Sequence, residues 1–195
     1  MRKSIAIIQG HPDGAGNHLC HALAHAYREG AEAAGHAVRL VDVGVMDLPF
    51  MRTQDEWRQP ATDAAILAAQ DALSAADHLL IVYPLWLGDI PAKLKAFFEQ
   101  VSRGGFAIDV AENGHWRKKL FGKSARIVVT MGMPTFAYRW FFFSHSLRSL
   151  KRNFLGFAGI APIRETLLGQ IEGNGRAKAR ADWIETLRRL GGAAS

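Results

Sequence analysis

The stretch LLIVYPLWLGDIPAKLKAFFEQV, residues 79–101, decides the fold of this chain. It begins with an uninterrupted apolar run, which is typical of a parallel strand that is buried on both faces. An apolar loop containing Trp86 and Gly88 follows, and then a helical pattern with Pro91 in its first turn. A buried strand that passes through a short loop into a helix is typical of an open α/β sheet. In such sheets ligands bind beyond the carboxyl ends of the strands, where this loop would lie.

The same alternation of strand and helix patterns continues along the whole chain. Strand patterns occupy residues 5–8, 38–43, 78–83, 125–131 and 160–168, and helical patterns occupy 19–34, 62–76, 90–103, 136–157 and 176–190. Residues 44–60 and 104–122 are predicted to be loops. Right-handed crossovers between such strands give a parallel sheet with helices on both faces. We therefore expect one domain over residues 1–195, a flavodoxin-like α/β three-layer sandwich whose five strands lie in the order 2-1-3-4-5.

Composition limits the class of protein. The chain has 195 residues, of which 49% are hydrophobic, enough for one sizeable core. We expect neither a membrane span, which needs roughly 18 continuous apolar residues, nor a secretory signal. Cys20 is the single cysteine, which excludes an internal disulfide and indicates a reducing cytoplasm. The net charge of +6 favours anionic partners, although simple solubility explains it equally well.

Three loops are predicted to converge at one edge of the sheet, after its first, third and fourth strands. The first loop, residues 10–18, is GHPDGAGNH. Gly14 and Gly16 allow an anion to approach the backbone, and Asn17 or His18 begins a helix whose amide groups favour negative charge. The alternative is an ordinary glycine-rich turn with Asn17 as the N-cap, because neither a P-loop nor a complete dinucleotide-binding motif is present.

The second and third loops offer an apolar surface and backbone donors. In the second loop, residues 84–89 (PLWLGD), Trp86 serves either core packing or a flat ligand. The third loop, residues 130–135 (TMGMPT), has backbone amides that suit a ring carbonyl or nitrogen, or it is a plain strand-to-helix turn. The pattern lacks paired catalytic carboxylates, an acidic phospho-acceptor pair and a G-x-S-x-G elbow. The three loops together predict a cofactor that carries the chemistry itself.

With these loops the chain resembles the flavodoxin-like NAD(P)H:quinone oxidoreductases, which include drug-activity modulator B and the ancillary oxidoreductases of potassium-efflux systems. The most specific match is PLWLGDIPAKLK, residues 84–95, and Gly105-Phe106-Ala107 and Thr130-x-Gly132 match further elements. The resemblance implies a bound flavin, FAD or FMN, with NAD(P)H as co-substrate. It also implies ping-pong transfer of two electrons as hydride to quinones or to azo or nitroaromatic acceptors, and a homodimer with active sites at the subunit interface.

The resemblance also assigns roles to residues. His11 matches the start of the family's phosphate loop, and Gly16 replaces a customary serine there. Tyr138 and His145 match a tyrosine and a histidine that relay a proton or charge near the flavin; an ordinary surface histidine is the alternative for His145. The predicted cofactor-binding residues are His11, Gly14, Gly16, Asn17, His18, Pro84, Leu85, Trp86, Leu87, Gly88, Thr130, Met131 and Gly132.

Two further patterns bear on partners and metals. Residues 138–152, YRWFFFSHSLRSLKR, combine aromatic and basic side chains. They favour a dimer interface and a wall of the substrate pocket, with peripheral membrane contact and nucleic-acid binding as alternatives. His18, His21 and His25 lie along one helix, but no further ligand accompanies them, so we predict no metal site. The alternative to an enzyme is a regulatory flavoprotein that binds a partner such as a membrane transporter.

Overall fold

Five parallel strands form the central sheet of the computed structural model, which describes residues 1–110 and 116–195. They are β1 (Ser4–Gln9), β2 (Ala37–Asp42), β3 (His78–Pro84), β6 (Ser124–Met131) and β7 (Ile163–Gly169), whereas the short strands β4 (Ile108–Val110) and β5 (Trp116–Lys118) pair with each other outside this sheet. The sheet has the order β2-β1-β3-β6-β7, and every neighbouring pair is parallel. In the sheet's own numbering this is 2-1-3-4-5, so the predicted flavodoxin-like order is confirmed.

Helices cover both faces of this sheet. They are α1 (Leu19–Ala33), α2 (Gln54–Arg58), α3 (Ala64–Ala75), α4 (Ala92–Val101), α5 (Thr135–Trp140), α6 (His145–Ser149) and α7 (Ala177–Gly192), with a π-helical turn at Leu150–Gly156. Within the described part of the chain, none of these helices is long and apolar enough to cross a bilayer.

Strand β3 lies in the middle of the sheet and is buried along its whole length. Its side chains alternate between two cores, as the pleat of a strand requires. Ile81 and Tyr83 belong to the core that contains α3 and α4, whereas Leu80 and Val82 belong to the core that contains α1 and α7. The continuous apolar run at residues 79–82 is explained by this burial on both faces.

Several predicted boundaries of helices and strands were wrong, because a helix cap, a strand pair and a proline set them rather than the apolar pattern. The predicted loop 44–60 contains α2, which begins after Thr53; the Thr53 hydroxyl accepts the Glu56 amide at 3.1 Å, a pattern readable as T-x-x-E. The predicted loop 104–122 contains the strands β4 and β5, which pair antiparallel, and its residues 111–115 lie outside the described residues. The last strand begins at Ile163, because Pro162 has no amide hydrogen to donate to a neighbouring strand.

The helical pattern of residues 136–157 is not one helix. It consists of α5, α6 and the π-helical turn. Between α5 and α6, Phe143 and Ser144 adopt left-handed backbone conformations with φ of 52° and 49°. The chain therefore changes direction at these two residues, which the apolar pattern alone did not predict.

Two glycines allow α1 and α7 to pack with their backbones in contact. A Cβ atom on Gly30 would lie 1.8 Å from the Arg188 carbonyl oxygen, and one on Gly191 would lie 2.0 Å from the Tyr27 carbonyl oxygen. Real Cβ atoms do not approach backbone atoms so closely. Only glycine therefore fits at both positions.

Replacing Gly30 with alanine should force α1 and α7 apart. We expect Gly30→Ala to lower the free energy of unfolding by about 1–3 kcal/mol, despite the better helix propensity of alanine. Urea denaturation measures this change. Gly175→Ala is the matched control, because a Cβ there meets open space. Equal stability of the two variants would contradict the close packing of α1 against α7.

The buried His78 should make stability depend on pH. Desolvation, followed by the charges of Lys3, Arg126 and Arg164, lowers the pKa of His78 from 6.5 to about 4. The unfolded chain therefore binds a proton between these pH values that the folded chain does not bind. We expect His78 to remove up to about 3 kcal/mol of unfolding free energy as the pH falls from 6.5 to 4.

His78→Asn supplies the comparison, because asparagine does not titrate in this range. The difference in unfolding free energy between the wild type and this variant, measured by urea denaturation at several pH values, should change across the window. A constant difference would show that His78 titrates normally.

Candidate functional site

The three loops converge as the sequence predicts. The rings of His11, in the first loop, and Trp86, in the second, lie edge to face with centroids 5.9 Å apart. The Leu85 amide donates to the Thr130 carbonyl at 2.8 Å, which joins the second loop to the third. One crevice at the carboxyl edge of β1, β3 and β6 is therefore lined by all three loops.

Gln9 and His11 shape the start of the first loop. The Gln9 side-chain oxygen accepts the His11 amide at 2.7 Å, and His11 Nδ1 accepts the Asp13 amide at 3.2 Å. Because Nδ1 is an acceptor, the proton of a neutral His11 ring must be on Nε2. His11 is only 7% exposed, yet its Nε2 has no hydrogen-bond partner among the described residues. No motif in the sequence predicted the part played by Gln9.

His18 lies directly on the His11 ring. The two imidazoles are stacked, with centroids 3.8 Å apart and an interplanar angle of 14°. His18 is the N-cap residue of α1, but its side chain makes no capping bond and instead contacts the Asp13 carboxylate, with Nε2 and Oδ2 2.7 Å apart. Of the two predicted starts of this helix, the structure selects His18, and Asn17 precedes it with an exposed side chain.

Burial and neighbouring groups set the charges of this loop. Burial, together with the nearby His18, lowers the pKa of His11, so His11 is mainly neutral at pH 7. The hydrogen bond with His18 lowers the pKa of Asp13, which is therefore ionised. The first loop thus carries one exposed carboxylate beside a stacked pair of imidazoles.

The glycines of the first loop serve different purposes. A Cβ on Gly14 would lie 2.7 Å from the Val45 side chain, so Gly14 permits contact with the segment after β2 rather than with a ligand. Gly16 has a φ of +84° and open space around it. In the part of the chain that the structure describes, the amides of Gly16, Asn17 and His18 donate to no acceptor. These amides and His11 Nε2 are donors that fit an anion.

The second loop is a tight turn that presents Trp86 and Leu87 to solvent, whereas the predicted site residues Pro84 and Leu85 are buried and packed against the core, respectively. Trp86 and Asp89 exchange two backbone hydrogen bonds of 2.9 Å, and Leu87 and Gly88 between them have φ of 49° and 78°. Positive φ at both central residues defines a type I′ turn. Trp86 is 50% exposed and Leu87 is fully exposed. The structure therefore rejects core packing as the role of Trp86.

An apolar cavity of about 800 Å³ opens beside this turn. Trp86 and its neighbours in the second loop form part of its wall, and α4, α6 and the π-helical turn contribute further lining residues. Its aromatic and aliphatic lining includes Trp57, Trp86, Phe98, Ile108, Phe154 and Phe157. Trp57 and Phe154 were not predicted as site residues, because they are distant in sequence from every loop motif.

The third loop contributes backbone rather than side chains. Thr130 is buried, and its hydroxyl lies 3.3 Å from Cys20 Sγ in the first turn of α1. Met131 is also buried, and its carbonyl accepts the Ile171 amide. Gly132 is exposed at the mouth of the loop, where a Cβ would lie 3.1 Å from a Glu172 carboxylate oxygen. Among these three residues, only Gly132 faces outward.

Tyr138 and His145 occupy very different environments. Tyr138 is completely buried, and its hydroxyl lies 2.7 Å from Ser146 Oγ and accepts the Leu147 amide at 3.1 Å. Direct contact with a substrate is incompatible with that position, so the prediction of a catalytic Tyr138 is corrected to a structural role between α5 and α6. His145 is exposed, and its Cε1 would lie 3.7 Å from a Cβ on Gly88. The structure thus brings His145, but not Tyr138, to the second loop.

The histidines of α1 do not form a common ligand set. His21 Nε2 lies 2.5 Å from the Gln9 amide nitrogen, and His25 pairs with Glu29 at 3.4 Å. Over residues 1–110 and 116–195, no three His, Cys, Asp or Glu side chains are grouped so that they could hold a metal ion.

Comparison with known proteins identifies a matching family and several relatives. A family profile described as flavodoxin-like fold (Flavodoxin_2) matches residues 3–190. An FMN-dependent NADH:quinone oxidoreductase of Nitratidesulfovibrio vulgaris is 28% identical over 211 residues, covering 96% of this chain and 97% of the relative. The glutathione-regulated potassium-efflux system ancillary protein KefG of Cronobacter sakazakii is 32% identical over 119 residues, covering 60% of this chain and 60% of the relative.

A solved structure shares the fold over the whole length. The NAD(P)H:quinone oxidoreductase of Methanothermobacter marburgensis superposes with a TM-score of 0.83 at 22% identity, covering 100% of both chains. At this level of identity, the superposition establishes the common fold.

The Tyr138 hydroxyl should matter for stability. We expect Tyr138→Phe to lower the free energy of unfolding by about 1–3 kcal/mol, because the buried Leu147 amide and Ser146 hydroxyl both lose a partner. Tyr83→Phe is the matched control, since the buried Tyr83 hydroxyl has no partner among the described residues. Urea denaturation of both variants measures the effect. A cost for Tyr83→Phe as large as that for Tyr138→Phe would argue against these two hydrogen bonds.

Proposed function

This chain belongs to the flavodoxin-like fold family, and from that premise we propose that it is a flavin-dependent NAD(P)H oxidoreductase that reduces quinones or related azo or nitroaromatic acceptors. The observation that carries the proposal is the position of Trp86. It is half-exposed, with a stacked imidazole pair of the first loop on one side and an apolar cavity on the other. A flat cofactor with a phosphate tail requires this combination of an aromatic surface beside an anion site.

The donors of the crevice fit the flavin. The phosphate would be held by His11, His18 and the amides of residues 16–18, and the ring would lie against Trp86 and Leu87. In the second loop, the Leu87 and Gly88 amides have no backbone acceptor within the described residues, whereas the Trp86 amide is bonded to Asp89. The name of the Nitratidesulfovibrio vulgaris relative supports FMN, and the open first loop is equally compatible with FAD.

When bound, the flavin supplies two-electron chemistry, accepting hydride from NAD(P)H and passing it to an acceptor by a ping-pong route. The residues of this chain would exclude water from the acceptor and supply a group that takes up a proton. The cavity beside Trp86 has a mostly apolar lining that suits an aromatic acceptor such as a quinone. His145 Nδ1 lies 2.9 Å from the Phe142 carbonyl, which can only accept, so a neutral ring leaves Nε2 free to take up a proton. We assign the predicted proton relay to that atom.

A second copy of the chain would complete the site. Phe136, Trp140, Phe141 and Phe143 are between 65% and 79% exposed, and they follow the third loop. Apolar patches of this kind mark interaction surfaces. We propose a cytoplasmic homodimer in which these side chains are covered by the partner, in keeping with the single reduced Cys20. Contact with a membrane surface is the alternative use of the same aromatic and basic segment.

A second candidate function is regulatory. The similarity to the ancillary protein KefG favours a flavoprotein whose role is to bind a transporter, with turnover that is incidental. Quinone reduction at rates typical of reductases would favour the enzyme. A tight complex with a membrane protein, together with negligible turnover, would favour the regulator.

The visible spectrum of the purified protein tests the cofactor directly. We expect flavin absorption, or quenching of flavin fluorescence when FMN is added. Trp86→Ala should weaken FMN binding about 10-fold or more, because the ring loses its aromatic surface. Phe121→Ala is the matched control, since Phe121 is an exposed aromatic residue outside the three loops. A colourless protein that binds no added flavin would end the proposal, and equal Kd values for both variants would remove Trp86 from the site.

A further inference from the structure

We infer that the Asp13 carboxylate competes with the flavin phosphate for the donors of the first loop, and so lowers the affinity of this chain for phosphorylated flavins. The inference rests on the proposed function, since it takes the flavin phosphate as the anion that the first loop receives.

Both oxygens of Asp13 contact donors of its own loop. Oδ2 lies 2.7 Å from His18 Nε2, and Oδ1 accepts the Ala15 amide at 2.9 Å. An imidazole and a backbone amide of a loop are the kinds of donor that proteins offer to phosphate oxygens. Asp13 therefore holds, in the absence of a ligand, two groups that a phosphate would use.

The first loop also has donors that Asp13 does not occupy and that are available to a second anion. His11 is more than nine-tenths buried, its ring is stacked on His18, and its Nε2 lacks a partner in the described part of the chain. The amides of Gly16, Asn17 and His18 are likewise without acceptors within residues 1–110 and 116–195. An anion that enters the loop and binds these donors must come close to the Asp13 carboxylate, which contacts His18.

The charge balance makes this competition costly. Residues 10–18 contain no lysine or arginine, so Asp13 faces only histidines and backbone dipoles within its loop. A phosphate monoester carries about −1.5 to −2 charges at pH 7. It cannot share the single Nε2 hydrogen of His18 with Asp13 without like-charge repulsion. Entry of the phosphate must therefore displace the carboxylate from His18 and leave it in solvent, where Asp13 is already half-exposed.

Titration of the full-length protein with two flavins tests the inference. FMN and riboflavin carry the same ring, but riboflavin has no phosphate. We expect Asp13→Asn to lower the Kd for FMN about 3- to 10-fold, because the phosphate no longer has to displace a carboxylate from His18. The Kd for riboflavin should change less than about 2-fold. Quenching of flavin fluorescence reports both constants without any assay of turnover, and the asparagine side chain still accepts the Ala15 amide.

Two controls isolate the contact. Asp71→Asn removes an exposed acidic charge on α3 and should leave the FMN Kd unchanged, which excludes a general effect of net charge. In a variant that already carries His18→Asn, adding Asp13→Asn should lower the Kd for FMN much less, because the imidazole for which the two anions compete is absent. The double-mutant cycle measures this coupling.

Different results would overturn the role of Asp13 and the proposed function. If Asp13→Asn weakens FMN binding or leaves it unchanged while riboflavin behaves as in the wild type, Asp13 orients His18 or has no role, and the inference is overturned. An equal gain for FMN and riboflavin would also overturn it, because the phosphate would not be involved. If no variant binds either flavin, the proposed function itself is wrong.

Discussion

The burial of β3 on both faces is the constraint on which the rest of the structure depends. Its alternate side chains fill two separate cores, so helices must cover each face of the sheet, and the connections between parallel strands must cross over. The strand can then reach solvent only at its ends. At the carboxyl end, its continuation forms the turn that carries Trp86, against the loops after β1 and β6. The crevice is a consequence of a fully buried central strand.

The fold was predictable from the sequence to the extent that burial determines it. Apolar runs identified all five strands of the sheet, and their alternation with helices gave the correct order. The short elements were missed because polar capping and pairing determine them: Thr53 begins α2, and the antiparallel pair of β4 and β5 has little apolar pattern. The break at Phe143 and Ser144 was missed because a left-handed backbone leaves no trace in hydrophobic periodicity.

The candidate site was predictable in position but not in detail. The convergence of the three loops could be foreseen from where the strands end, whereas the sequence left core packing open for Trp86. The stacking of His11 on His18 could not, because it depends on the path of the loop between them. Tyr138 shows the opposite limit. Tyr138 resembles a relay residue in sequence, yet its buried hydroxyl contacts Ser146 and the Leu147 amide. Sequence similarity transfers a position along the chain, whereas a chemical role also requires exposure.

The backbone of Leu87 has a consequence for how this protein could change over evolution. A left-handed conformation costs a residue with a Cβ about 1–2 kcal/mol, and glycine or asparagine would relieve that cost in a type I′ turn. Leucine nevertheless occupies the position and holds a fully exposed apolar side chain beside Trp86. Selection for thermostability alone would tend to replace Leu87. In the proposed function Leu87 lies against the flavin ring, and the tip of this turn would then be a place where stability and activity are in conflict.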